Sequence, residues 1–246
     1  MSRLLSKTGN LATVIPIITP IVRDGNRGFF MHGMWYNRNM SIEILNCDCM
    51  EYMATQPDGA FDLAIVDPPY GISVNISIGR RKGDKKSDYH KFAGEDKNIP
   101  TEEYFLQLAR VSKNQIIWGG NYMTDYLYPS PCWVLWDKGF SEDVTFAQYE
   151  MAWTSFKSSA KKYDFNAAAN KNRIHPTQKP VKLYQWLLTN YAKPGQRILD
   201  THLGSGSSAI AAHYFGCDFV GCELDPDYYK AAKDRFNRET SQLSMF

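Results

Sequence analysis

Apolar and polar positions along this chain alternate between two regimes. Short apolar runs at residues 42–46, 61–66, 115–118, 132–136, 146–153, 197–199 and 218–222 stop on polar residues, glycine or proline and predict strands. Between several of them the apolar positions repeat at the helical period. Residues 101–112 open on Thr101-Glu102-Glu103 and turn Tyr104, Phe105, Leu108 and Val111 to one side. Residues 180–191 do the same with Leu183, Leu187 and Leu188, while 208–214 is small and alanine-rich and 227–236 follows Pro226. Strands alternating with helices predict an α/β protein with a doubly wound, mostly parallel sheet of about seven strands. The runs 132–136 and 146–153, joined without a helix, predict an antiparallel hairpin at one edge of it.

Residues 1–39 follow neither regime. A short apolar patch from Val14 to Val22 is interrupted by Pro16 and Pro20, and a stretch rich in Gly, Asn and Arg follows. The segment reads as a peripheral arm, or as translated sequence upstream of a start at Met40. Residues 40–246 read as one domain, with insertions around 73–99 and 122–174.

Composition narrows the classes. A chain of 246 residues with 43% hydrophobic and 14% aromatic residues can bury a sizeable core. It contains no apolar run near the ~20 residues that span a bilayer, and no signal peptide is read at its start. The five cysteines include no CxxC pair, and the five histidines are scattered, so reduced thiols, a cytoplasmic setting and no metal are expected. The net charge of +2 implies no partner by itself, but the cations are clustered. Arg80, Arg81, Lys82, Lys85 and Lys86 fall in one polar, glycine-containing stretch, and Lys161, Lys162 and Arg173 flank another. Both read as loops, solvated or touching phosphates.

The most specific local signal is Asp67-Pro68-Pro69-Tyr70, directly after the run 61–66. Two prolines end the strand, so the chain leaves the sheet at its carboxyl end, where open α/β sheets hold ligands. There it offers a carboxylate, a carbonyl next to a residue with no N–H, and an aromatic ring, a set suited to a flat, amino-bearing heterocycle. A second signal is Asp200-Thr201-His202-Leu203-Gly204-Ser205-Gly206-Ser207, in which a strand runs through a glycine turn into a helix start. Glu223 ends the next strand 19 residues after Gly204 and is placed to hold two ribose hydroxyls. The pattern fits NAD and other adenosyl cofactors equally. Because 23 residues follow Glu223, the rest of the sheet must come from upstream, as in a circular permutation of the usual order. The strand ending near Asp48 should then lie beside the Glu223 strand, and the Asp67 strand beside the glycine-turn strand. The two signals would face each other across the crevice.

Together with His175-Pro176-Thr177-Gln178-Lys179-Pro180 and Gly221-Cys222-Glu223-Leu224-Asp225, these motifs resemble the permuted (beta) amino-methyltransferases of DNA, while Ile117-Trp118-Gly119-Gly120-Asn121-Tyr122 and Trp136-Asp137-Lys138 resemble short adenine methyltransferases of phage and prophage type. The resemblance runs from about Ser41 to Phe236. It implies a Rossmann-like methyltransferase sheet, S-adenosylmethionine as cofactor, double-stranded DNA as partner and the N6 amino group of adenine as acceptor. Asp67 and Pro68 would orient the amino group, with Pro69 shaping the turn and Tyr70 stacked on the base. Glu223 would bind the cofactor ribose and Asp48 approach its adenine, with Leu224 and Asp225 among the cofactor-binding residues. Asp67, Thr177, Lys179, Asp200, Gly204, Ser205, Gly206 and Ser207 would shape the methionine side, with His202 standing where the family has Phe. Cytosine-N4 transfer, a catalytically idle DNA-binding relative and an NAD oxidoreductase are the competing readings. Specificity is expected from segments 73–99 and 122–174, whose shortness predicts a short target site, and no convincing nuclease site is read, so an orphan enzyme is expected rather than one fused to a nuclease. The sequence leaves the recognised site open, and monomer and homodimer undecided.

Overall fold

The structure, a computed structural model, describes residues 21–23, 26–31, 34–37, 40–72, 98–140, 147–166, 174–175 and 177–241. Two compact units divide the chain at Asn39 and Met40. In the first, β1 (Ile21–Arg23), β2 (Asn26–Met31) and β3 (Met34–Asn37) form a three-stranded antiparallel sheet in that order. The sequence reading had no strands there, because the segment shows no clean two-residue alternation.

The second unit carries β4 (Ile42–Asn46), α1 (Cys49–Thr55), β5 (Leu63–Val66), α2 (Glu102–Val111) and β6 (Gln115–Trp118). Next come β7 (Trp133–Asp137), β8 (Tyr149–Thr154) and β9 (Lys161–Asp164). It closes with α3 (Val181–Tyr191), β10 (Arg197–Asp200), α4 (Ser207–Phe215), β11 (Asp218–Glu223) and α5 (Pro226–Ser241). Eight strands make one mixed sheet in the order β4-β11-β10-β5-β6-β8-β7-β9. The first five run parallel, so Asp48, Glu223, Asp200, Asp67 and Gly119 all lie at strand carboxyl ends along one edge. As expected, β4 lies beside β11 and β5 beside β10. The chain winds from β10 towards β11 and from β5 towards β6, so the winding reverses between β10 and β5, where such sheets open a crevice.

Two differences from the sequence reading are physical. The hairpin β7–β8 is not terminal: β8 is the inner strand, paired with β6, and β9 covers β7 in parallel. Strand β9, Lys161-Lys162-Tyr163-Asp164, is an edge strand with polar residues on both faces, a composition that reads as loop. Helix α1 spans 7 residues, too few for a period to show, and is set by its cap: the Asp48 carboxylate accepts from the N–H groups of Met50 and Glu51.

The sheet is covered on both faces. Leu63, Ile65, Ile116 and Trp118 join Leu183, Leu187 and Leu188 of α3 and the small residues of α4 in one core cluster. The alternate positions Ala64, Val66 and Ile117 pack with Met53 of α1 and Tyr104, Phe105, Leu108 and Val111 of α2 in another. Burial on both faces explains why β5 and β6 read as continuous apolar runs rather than alternating ones. Each fully buried leucine here contributes roughly 1.5–3 kcal/mol over its exposed state, and that packing fixes the strand ends from which the site is built.

Candidate active site

Strand β5 delivers Asp67, and the two prolines carry Tyr70 back over the sheet end. The Tyr70 hydroxyl donates to Asp67 Oδ1 at 2.6 Å, closing the tetrapeptide on itself. Its ring passes directly over Gly119, which follows β6 with φ of 67°. A Cβ on Gly119 would sit 2.2 Å from Tyr70 Cε1, so only glycine leaves room for the ring. On the side towards solvent Tyr70 stacks on Tyr122, with centroids 5.5 Å apart and planes 18° from parallel. Tyr122 itself is exposed, so the pair forms an aromatic platform at the mouth of the site.

Lys179, expected on the methionine side of a cofactor, instead sends its ammonium to the tetrapeptide. Its Nζ donates to Asp67 Oδ2 at 2.5 Å and to the Tyr70 hydroxyl at 3.1 Å. The side chain is only 3% exposed, a burial that an ammonium tolerates when paired. A second carboxylate, Glu150 of β8, stands 3.1 Å from the same Nζ, close enough for an ion pair although outside hydrogen-bond geometry. Lys138, just past β7, holds the other Glu150 oxygen at 2.6 Å. The order Asp67, Lys179, Glu150, Lys138 thus alternates in sign. Burial pushes the Asp67 carboxyl up, and Lys179 opposes that push. Burial acts the same way on Glu150, but Lys179 and Lys138 outweigh it and hold the carboxyl down to about 2. Burial would lower the Lys179 ammonium; Asp67 and Glu150 raise it instead, so it stays charged.

Sequence reasoning missed Glu150 and gave Lys138 no role beyond its place in the Trp136-Asp137-Lys138 motif. The available signal was an acid in an otherwise apolar strand, opposite Trp136 in the antiparallel register and two residues from Gln148, the cross-strand neighbour of Lys138.

The glycine turn after β10 is built differently. Gly204 and Gly206 have φ of 53° and 75°, and Gly206 starts α4 without a side-chain cap. The Glu223 carboxylate at the end of β11 accepts from Gly204 N–H at 2.8 Å and from Asp225 N–H at 3.0 Å. A carboxylate offers about four acceptor positions, so two remain. Burial raises Glu223, and these backbone donors work against the rise. Asp200 is fully buried; it accepts from the Ser208 hydroxyl at 2.5 Å and from His202 N–H at 3.1 Å, and burial pushes it up to about 7. Ser205 and Ser207 share a hydroxyl contact and are fastened by Arg235, which donates to the Ser205 carbonyl and the Ser207 hydroxyl. These two serines line the inside of the turn rather than its open face.

The remaining sequence candidates separate. His202 packs its ring edge-on against Tyr104, and burial lowers it to about 4, so it is a neutral aromatic ring at neutral pH. Thr177 is exposed and bonded to the His175 ring, which lies 3.8 Å from where a Gly204 side chain would begin. Leu224 is exposed, and Asp225 accepts from the first N–H groups of α5. Lys162, expected to touch phosphate, is paired with Asp137 at 2.8 Å and Asp164 at 2.7 Å, and Lys161 donates to Asn190. Arg80, Arg81, Lys82, Lys85, Lys86 and Arg173 lie outside the described residues.

The residues around the turn fit an adenosyl cofactor. Glu223 has acceptor capacity left for two hydroxyls, and the uncapped start of α4 suits an anionic group.

Residues 121–234 match the DNA methylase family N6_N4_Mtase, a span that includes Lys179, the glycine turn and Glu223 but not Asp67. A methylase by name, YubD of Escherichia coli (strain K12), is 27% identical over 76% of this chain and 87% of its own. The type II methyltransferase M2.DpnII of Streptococcus pneumoniae is 22% identical over 86% and 95%. Among solved structures, the M1.HpyAVI–SAM complex superposes with a TM-score of 0.54 at 18% identity, covering 79% of this chain and 98% of that one. The α/β sheet thus shares its fold with the solved M1.HpyAVI–SAM complex, and in sequence the chain is similar to DNA methylases.

Proposed function

We propose that the chain transfers a methyl group from S-adenosylmethionine to the exocyclic N6 amino group of adenine in double-stranded DNA, at a specific sequence. The observation that carries this reading is the buried, ion-paired Asp67 at a strand end beside the glycine turn, roofed by Tyr70. Solution of the related M1.HpyAVI fold with its cofactor supports the choice of methyl donor.

An exocyclic amino nitrogen is a weak nucleophile because its lone pair is delocalised into the ring. Asp67 accepts one amino proton and the Pro68 carbonyl the other, which frees the lone pair for attack. Tyr70 stacks on the base in the place that Tyr122 takes in the free protein, a contact worth roughly 1–3 kcal/mol that offsets part of the few kcal/mol needed to draw the base out of the duplex. The hydroxyl bond to Asp67 and the open space at Gly119 fix that ring before any base arrives, so little ordering remains for the bound state. Glu223 holds the ribose hydroxyls, Asp48 approaches the adenine of the cofactor, and Gly204 and Gly206 allow close backbone approach on the methionine side. When bound, S-adenosylmethionine would supply an electrophilic methyl whose bond to the sulfonium sulfur breaks, leaving a neutral thioether, as the C–N bond forms and the amino nitrogen gives up one proton. Asp67 is the base placed to receive that proton. An initial Asp in the tetrapeptide favours adenine over cytosine as the acceptor.

The test is transfer of labelled methyl from S-adenosylmethionine to duplex DNA of varied sequence, followed by nucleoside separation. Label in N6-methyladenine, lost on Asp67→Ala, is expected. Label in N4-methylcytosine would replace the acceptor, and tight cofactor binding without DNA labelling would leave a DNA-binding relative.

A further inference from the structure

Behind Asp67 the buried charges do not stop at Lys179. The Lys179 ammonium lies in a slot with Asp67 on one side and Glu150 on the other, and the rings of Trp118 and Tyr70 at 5.2 Å and 5.6 Å. Four contacts of that kind leave it no second place to go. Glu150 is gripped in turn by Lys138, whose Nζ also lies 5.8 Å from the Trp136 ring. The three elements involved are independent in sequence. Asp67 follows β5, Lys179 precedes α3 at a separation of 112 residues, and Glu150 and Lys138 belong to the β7–β8 hairpin. An isolated buried ion pair of this sort is rarely worth its desolvation, so stability alone explains the arrangement poorly. Geometry explains it better. With Oδ1 tied to Tyr70 and Oδ2 to Lys179, the carboxylate cannot rotate, and the acceptor directions left over are fixed.

We propose that Lys179 is the positioning residue that locks the Asp67 carboxylate in one orientation, and that Glu150, itself held by Lys138, tunes how strongly Lys179 acts. The proposal rests on the reading of Asp67 as the group that receives the amino proton. Its physical core, a buried cation held between two carboxylates, holds for the protein without any ligand. The two neighbours therefore act on Asp67 with opposite sign. Lys179 favours the ionised form, and Glu150 opposes it. The other groups around this centre are the hydroxyls of Tyr70, Tyr104 and Tyr184 and the carboxyl of Asp200 facing Asp67, and the His175 ring facing Lys179. None of them changes between the two variants used below.

The experiment is a carbon-13 NMR titration of the aspartate carboxyls in the cofactor-free protein, with the Asp67 resonance assigned by its loss in Asp67→Asn. Lys179→Met should raise the Asp67 midpoint by about 1–3 units, the size expected for losing an opposite charge at contact distance. Glu150→Gln should move it the other way. Lys179→Arg keeps the charge and should restore most of the Lys179→Met shift. In methyl transfer, the acid limb of the rate profile should follow the same two directions, with kcat falling at least about tenfold in Lys179→Met and recovering in part in Lys179→Arg. Opposite shifts for the two neutral variants support the proposal; shifts of the same sign, or none, overturn it. Should Lys179→Met fail to fold, Glu150→Gln decides alone: a downward shift supports, and an unmoved or raised midpoint overturns. If the wild-type protein labels no DNA while the titration behaves as described, it is the methyl-transfer reading that fails and the charge arrangement that stands.

Discussion

Asp67 and Asp200 end neighbouring parallel strands, and burial pushes both carboxyls up, yet the two are held by different kinds of partner. Asp67 faces the Lys179 ammonium; Asp200 is held by the Ser208 hydroxyl and a backbone N–H, and drifts to about 7. Among the described residues a cation is kept buried beside the first and none beside the second. Desolvating an ammonium is costly, so the chain spends it where a fixed anion has chemical use, and uses neutral donors where the carboxyl only braces a turn.

The sharpest way to break that comparison is to neutralise each carboxyl with its isostere. Asp67→Asn should lower methyl transfer by ~10²-fold or more while leaving a folded protein, since it removes the proton acceptor. Asp200→Asn should cost less than ~10-fold, because an amide can still accept from His202 N–H and meet the Ser208 hydroxyl. Equal losses in single-turnover labelling would mean that Asp200 is as much a part of the chemistry as Asp67.

Glu223 sharpens the contrast from the cofactor side. Glu223→Ala removes the acceptor of two backbone N–H groups together with the proposed ribose partner. One charge-assisted bond is worth roughly 1.5–3 kcal/mol, so loss of the ribose partner should weaken cofactor affinity by at least about 10- to 100-fold in calorimetric titration. The rate at saturating cofactor should change far less. A kcat defect as deep as that of Asp67→Asn would contradict the division between a binding end and a reacting end.

How legible this was depends on range. Asp67, Asp200 and Glu223 could be read because each stops an apolar run, and the order of β4, β11, β10 and β5 followed from where those runs fall. Lys179 was visible as a candidate but aimed elsewhere, because its partner lies 112 residues away and no local pattern reports such a contact. Glu150 was not found, and Lys138 was given no role, for the same reason: their meaning exists only once β8 is placed beside β6. Strand β9 and the sheet of the N-terminal unit lacked the apolar alternation on which strand reading depends.

Gly119 tests whether the Tyr70 ring is held as tightly as Asp67. Gly119→Ala forces a left-handed backbone on a residue with a Cβ and drives that atom into the ring. A stability loss of about 1–3 kcal/mol is expected from chemical denaturation, with a several-fold weaker grip on a DNA substrate. Full stability in this variant would show that Tyr70 can leave its place freely, and the preset aromatic platform would lose its basis.

His202 supplies the mildest probe, on the uncharged side of the comparison. Its ring is held to about 4, below the ordinary 6.5 of an exposed histidine, because burial disfavours the imidazolium. A depressed value of this kind stabilises the folded state above about pH 6.5, and that contribution is lost as the pH falls through 4. His202→Phe removes the titration while keeping a flat ring against Tyr104, which meets His202 edge-on at 5.5 Å. The difference in unfolding free energy between variant and wild type should therefore drift in favour of Phe as the pH is lowered from 6.5 to 4. Because the ring keeps some exposure, the drift should be on the order of 1 kcal/mol rather than the full linkage value. The urea midpoints of the two proteins, measured at several pH values across that window, give the drift directly, and the charges common to both cancel. A constant offset would mean that His202 titrates normally in the folded protein, and that the floor of the Asp200 turn is not the charge-free surface the comparison requires.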